Sequence, residues 1–123
     1  MNIRSRRQDH RAIVSVCGDV DMDSVERFER ILLKQVEGDA ILLVLDAAQM
    51  GYIYSNGLAV LVRVSSRLRR QGRSFWILNP SQQMRHVLAL TNLESLFPVV
   101  DVPEYSDLPW NAGRPTREAA VAV

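Results

Sequence analysis

The chain has 123 residues, 47% of them hydrophobic and 24% charged, enough apolar content for one domain with a buried core. Fifteen basic residues stand against fourteen acidic ones, so a formal charge of +1 supplies no overall field for nucleic acid or an anionic membrane. No apolar run approaches the ~20 residues that cross a bilayer, residues 1–7 lack the apolar centre of a signal peptide, and the single cysteine, Cys17, excludes an internal disulfide. A cytoplasmic location without membrane insertion is the expectation.

Residues 4–11 are polar and predict a poor edge strand, whereas 12–17 are apolar enough for a central one. Cys17 reads there as a small buried hydrophobe, and Gly18 as the strand end. Asp19, Asp21 and Asp23 are spaced like the start of a calcium loop. Counting from Asp19, however, the sixth position is Ser24, where that loop needs glycine, and the twelfth is Arg30, where it needs glutamate. Asp23 with Glu26 three residues on reads better as a capping box. The helix it opens is expected over 24–36, with Val25, Phe28, Ile31 or Leu32, and Gln35 on one face.

Residues 41–45 are an unbroken apolar run, which suits a strand at 40–45 covered on both faces, and Asp46 is expected to end it. Apolar character returns at Tyr52 and Ile53. Tyr54-Ser55-Asn56-Gly57 then supplies residues that turn the chain and cap helices. Leu58, Leu61, Val62, Ser65 and Leu68 follow at helical spacing, predicting a helix over 56–71 that ends at Gly72. Ser55 therefore stands at a helix N-terminus, beside free N–H groups and the positive end of the dipole. It is either a cap or a site for added negative charge. Arg63, Arg67 and Arg70 share one face of this helix, with Arg69 and Arg73 close by, and are expected to be solvated.

Residues 74–78 predict the next strand. Asn79 as cap, Pro80 at the first helical position and Gln82 at the third predict a helix through Leu90, with Asn92 suited to a left-handed end. Residues 97–101 predict a last strand. Beyond it Pro103, Pro109, Gly113 and Pro115 interrupt any periodic segment, so the domain is expected over 1–110, with 105–110 folded back as an irregular turn and 111–123 a mobile tail. The class is α/β: a single domain with a mixed four- to five-stranded β-sheet and helices packed against it.

No constellation for catalysis is visible. His10 and His86 lack metal-ligand spacing, and Gly51 and Gly57 do not make a phosphate-cradling loop, so no catalytic residue, metal or cofactor is expected. Direct nucleic-acid binding is not expected either, because Trp76 lies within a strand and Trp110 is isolated.

Five motifs occur in one unbroken order over about ninety residues: Val16-Cys17-Gly18-Asp19-Val20-Asp21; Asp46 with Tyr52-Ile53 and Ser55-Asn56-Gly57-Leu58; Asn79-Pro80-Ser81; Leu90-Thr91-Asn92-Leu93; and Phe97 to Asp101. Together they resemble the STAS domain, the fold of bacterial anti-sigma factor antagonists. The resemblance implies a non-enzymatic binding module in a partner-switching circuit. Its partners would be an anti-sigma factor that is also a serine kinase of the histidine-kinase-like ATPase fold, and a serine phosphatase. Ser55 matches the family's phosphoacceptor, and Asp21 matches the aspartate of its Gly-x-x-Asp, which touches the kinase. As the residues of Ser55's own turn, Tyr54, Asn56 and Gly57 complete the implied contact. The family usually has aspartate where Tyr54 stands and serine or threonine where Asn56 stands. Gly57-Leu58-Ala59 is also similar to STAS subunits of ABC-type lipid transport machines, so a non-switching accessory role is the alternative. Asp21 could equally be a solvated carboxylate near a helix start.

Overall fold

The polar opening stretch forms a strand because it pairs along its whole length with an apolar one. Strand β1 (Asn2–Gln8) runs antiparallel to β2 (Arg11–Val20), from Asn2↔Cys17 to Gln8↔Arg11. The two-residue connection turns on Asp9 at φ 56, a left-handed conformation that aspartate tolerates. Residues 1–103 are described by the computed structural model. The expectations for 105–110 and 111–123 lie outside them.

Gly18 does not end β2. At φ 95 it sits where the register to the next strand shifts, so it bends the strand as a bulge and lets it continue to buried Val20. Cys17 is exposed, against the expectation of a buried hydrophobe. Strand alternation explains this: Val14 and Val16 enter the main core, which leaves Ser15 and Cys17 on the opposite face.

Helix α1 (Val25–Glu37) buries Phe28, Leu32 and Val36. Strand β3 (Leu42–Ile53) is far longer than 40–45, because Asp46 is accommodated within it. Its carboxylate accepts the Ala48 N–H at 3.2 Å and lies 3.2 Å from the Ser15 hydroxyl, and buried Ala47, Met50 and Ile53 follow. Helix α2 (Ser55–Arg70) and strand β4 (Ser74–Leu78) come next. Helix α3 (Gln82–Thr91) is capped by the Ser81 hydroxyl, which accepts the Met84 N–H, and not by Asn79. Asn79 instead brackets Val102, donating to its carbonyl at 2.6 Å and accepting its N–H at 2.9 Å. Asn92 ends α3 at φ 57, ψ 26, as its tolerance of that region predicts. Strand β5 is only Val99–Val100, since Phe97 turns into the core and Pro98 has no N–H to donate.

The sheet order is β1-β2-β3-β4-β5, antiparallel at β1 and parallel elsewhere, so the expected mixed α/β sheet is present with five strands. All three helices contribute to one large core with Val14, Val16, Leu43, Leu45, Phe75 and Ile77. Ile13, Leu42, Val44 and Leu78 form a smaller cluster with Trp76, Val100 and Val102 on the other face, so residues 42–45 of the apolar run are buried on both sides. Arg73 is not part of a solvated arginine face. Its guanidinium donates to the carbonyls of Val36 (2.6 Å), Ala40 (2.7 Å) and Gln35 (3.2 Å), satisfying the open end of α1. No helix among the described residues is long and apolar enough to cross a membrane.

Candidate functional site at the start of helix α2

Parallel strands β2 and β3 end together, Val20 opposite Ile53, and the helix that follows β3 starts at that edge. The ends of parallel strands, where the chain turns into helices, are where α/β folds place their sites. The Tyr54 N–H donates to the Val20 carbonyl at 3.0 Å, which fixes the turn against β2. Tyr54 is the residue before α2, in extended conformation (φ −85, ψ 169), and Ser55 is the first helical residue. Ser55 is therefore not a cap, and no side chain caps this helix from the preceding position. Its side chain is exposed.

Asn56 is half-buried, and its carbonyl Oδ1 accepts the Gly57 N–H at 2.9 Å, satisfying one of the free donors of the first turn. Gly57 is buried. A Cβ there would lie 2.7 Å from Ile53 Cγ1 and 3.0 Å from Val20 Cγ1, so its role is to seat α2 on the strand ends, beneath the surface that Tyr54 and Ser55 display. Tyr54 is 55% exposed.

Asp21 is half-buried and committed locally. Its Oδ1 accepts the N–H groups of Asp23 (3.0 Å) and Ser24 (3.2 Å) and lies 3.1 Å from the Ser24 hydroxyl. The Asp23 capping box does not form. The residue before α1 is Ser24, without a side-chain cap, and Asp21 supplies the acceptor for this turn. Asp21 is thus more than a solvated carboxylate, yet it stands one residue after Val20 and so beside Tyr54.

Sequence reasoning missed three residues at this edge. Met22 is 80% exposed and Tyr52 58% exposed. Asp19 reaches across to β3, its Oδ1 accepting the Tyr52 N–H at 2.8 Å. Gly51 makes room for that contact, because a Cβ on it would come within 2.0 Å of the same oxygen. A carboxylate one residue past a bulge glycine, facing a glycine-aromatic pair, was the available signal. No group of three or more His, Cys, Asp or Glu side chains among the described residues could hold a metal. On the arginine face of α2, Arg63 pairs with Glu29 of α1, and Arg63 and Arg70 are exposed as expected.

A mixed five-stranded sheet with three helices, and an exposed serine opening the helix after its central strand, define a small α/β domain with its candidate site at the strand ends. Residues 3–100 match the family profile described as Mlab, STAS domain, and the chain belongs to the STAS domain family. It is 28% identical over 104 residues to BtrV of Bordetella bronchiseptica, assigned as an anti-sigma factor antagonist, covering 85% of this chain and 90% of that one. The crystal structure of an anti-sigma factor antagonist from Mycobacterium paratuberculosis superimposes with a TM-score of 0.75 at 24% identity, over 86% of this chain and 88% of that one. SpoIIAA, an anti-sigma factor antagonist of Bacillus, is similar in its unphosphorylated form (TM-score 0.72, 17% identity, 85% and 91% covered). Its phosphorylated form is similar too (TM-score 0.69, 17% identity, 85% and 95% covered). At these identities the solved structures establish the fold alone.

Proposed function

We propose that this chain is a cytoplasmic, non-catalytic anti-sigma factor antagonist. It binds an anti-sigma factor that is also a serine kinase of the histidine-kinase-like ATPase fold, and phosphate on Ser55 ends that contact until a serine phosphatase removes it. The observation that carries the reading is Ser55 itself: exposed, free of a capping role, and at the position that resembles the family's phosphoacceptor. Two other serines are worse candidates. Ser65 is buried, and the Ser81 hydroxyl holds the Met84 N–H. A phosphate at Ser55 adds about −1.5 to −2 charges at a surface otherwise built around a neutral hydroxyl. A penalty of ~3 kcal/mol there lowers affinity roughly a hundredfold. Asp21, Tyr54 and Asn56 line the contact, with Gly57 supporting it from below.

A second reading is a non-switching accessory subunit of an ABC-type lipid transport machine. The matching profile's description, which names Mlab, favours it, as do Tyr54 and Asn56 in place of the family's usual neighbours of the acceptor. The two are separated by incubating the chain with ATP and each purified anti-sigma factor kinase of the source genome, followed by phosphopeptide mapping. Phosphate on Ser55, absent from Ser55→Ala, is expected. Label elsewhere with Ser55→Ala fully labelled, or none at all beside co-purification with transporter subunits, overturns the first reading.

A further inference from the structure

The exposed large apolar side chains among the described residues are Met22, Tyr52, Tyr54 and Leu90, and all but Leu90 belong to the edge that carries Ser55. Tyr52 and Tyr54 stand on either side of buried Ile53 along extended backbone, so both rings leave the strand on the side away from the helical core. Met22 follows on the neighbouring strand end, two residues beyond the Val20 carbonyl that holds the Tyr54 N–H. The arrangement is braced. Asp19 Oδ1 grips the Tyr52 N–H, and the contact depends on the missing side chain of Gly51.

The start of α2 itself carries no charged residue. The helix has no acidic residue in its first turn, and its first basic residue is Arg63, more than two turns on. Asp19 and Asp21 hold backbone N–H groups through Oδ1, while Asp19 and Asp23 stay exposed at the end of β2. Beside Ser55 the surface presents two aromatic rings, a thioether and the half-buried amide of Asn56, with the Asp19 and Asp23 carboxylates at its rim. Aromatic and methionine side chains are the residues that anchor protein interfaces, through burial in desolvated recesses.

We infer that Met22, Tyr52 and Tyr54 form one apolar ridge that seats in an apolar, water-excluding recess of the anti-sigma factor that meets Ser55. The contact is held by apolar burial, and the phosphate acts by bringing a hydrated dianion beside that recess. This rests on the proposal that the Ser55 edge is the partner surface.

The test measures the affinity of the full chain for each purified anti-sigma factor kinase of the source genome, at about 50 mM and 500 mM salt. Binding to one of them that changes less than about threefold between those conditions is expected; a fall of more than about tenfold marks a charged interface and overturns the ridge. Met22→Ser and Tyr52→Ser should each weaken binding at least ~tenfold, about 1.4 kcal/mol, with unchanged melting temperature, while Leu90→Ser binds normally. Asp19→Ala should weaken binding and Asp19→Asn, which keeps an acceptor, should restore it. If Ser55→Asp abolishes binding while Met22→Ser and Tyr52→Ser bind like wild type, the ridge is wrong and the surface right. If all three bind like wild type, or no kinase binds, both fail. Dimerisation of the free chain that Tyr52→Ser abolishes would assign the ridge to a second copy and overturn the inference.

Discussion

Gly57→Ala sets two effects of similar size against each other at the base of the site. Alanine favours a helix over glycine by up to about 1 kcal/mol. Its Cβ, however, would lie 2.7 Å and 3.1 Å from Ile53 Cγ1 and Cδ1, and 3.0 Å from Val20 Cγ1. Both partners are buried and branched at Cβ, so they cannot swing aside by a simple rotation. Overpacking of this kind costs about 1–3 kcal/mol, and the stiffness of both neighbours places it in the upper half. The clash wins, with a net loss of about 1–2 kcal/mol, or a melting temperature lower by roughly 5–10 °C. Thermal and urea unfolding followed by circular dichroism measure it. Val20→Ala removes one of the clashing atoms, so the double variant should be less destabilised than the sum of the singles. A melting temperature equal to or above wild type would refute the packing argument and return Gly57 to the list of direct contact residues.

Three further outcomes follow from named contacts. Arg73→Met should cost about 2 kcal/mol in urea unfolding, because a charged donor to backbone carbonyls contributes about 1.5–3 kcal/mol per bond before the half-exposed carbonyls regain water, and Arg73→Lys should recover only part. Asp21→Ala should cost about 1 kcal/mol, like the loss of a helix cap, and Asp21→Asn much less; equal stability of the two would deny the turn its dependence on Oδ1. Asp39, hydrogen-bonded by the Arg7 guanidinium, has its carboxyl held below the ordinary 3.8, so the pair's contribution is present above that pH and lost as the pH falls through the folded value. Both groups are exposed, so the gap in melting temperature between wild type and Asp39→Asn should be small at neutral pH and close as the pH falls through the lowered carboxyl value.

The elements were legible where periodicity and burial agree: the apolar run at 41–45, the 3.6-residue spacing after Leu58, and 74–78, which matches β4 residue for residue. What failed were terminations read from single residues. Asp46 and Gly18 look like stops, yet one finds a neighbouring N–H and hydroxyl inside the sheet and the other makes a bulge. Capping residues were misplaced by one or two positions for a related reason. Asp21, Asp23 and Ser24 are all competent acceptors, and only the path of the chain out of β2 selects among them. Ser55 was legible as the residue opening a helix; Met22 and Tyr52 were not, because nothing in sequence distinguishes an exposed aromatic at a strand end from a buried one.

Where Ser55 stands also constrains how a phosphate on it could act. At the first position of α2 the group would lie beside unpaired N–H donors and the positive end of the helix dipole, an interaction that stabilises a negative group by about 0.3–1 kcal/mol. Gly57, wedged on Ile53 and Val20, leaves the start of the helix no room to shift. Phosphorylation is therefore expected to leave the fold in place and change only what the edge presents. The phosphorylated chain should melt no lower than the unmodified one, and up to a few degrees higher at low salt, with amide shifts in the NMR spectrum confined to the strand ends at 19–22, the turn at 51–57 and the first turn of α2. A melting temperature reduced by more than about 5 °C, or shifts spread through β4 and α3, would show that the modification strains the fold, and that release of a partner is driven by conformational change and not by the surface itself.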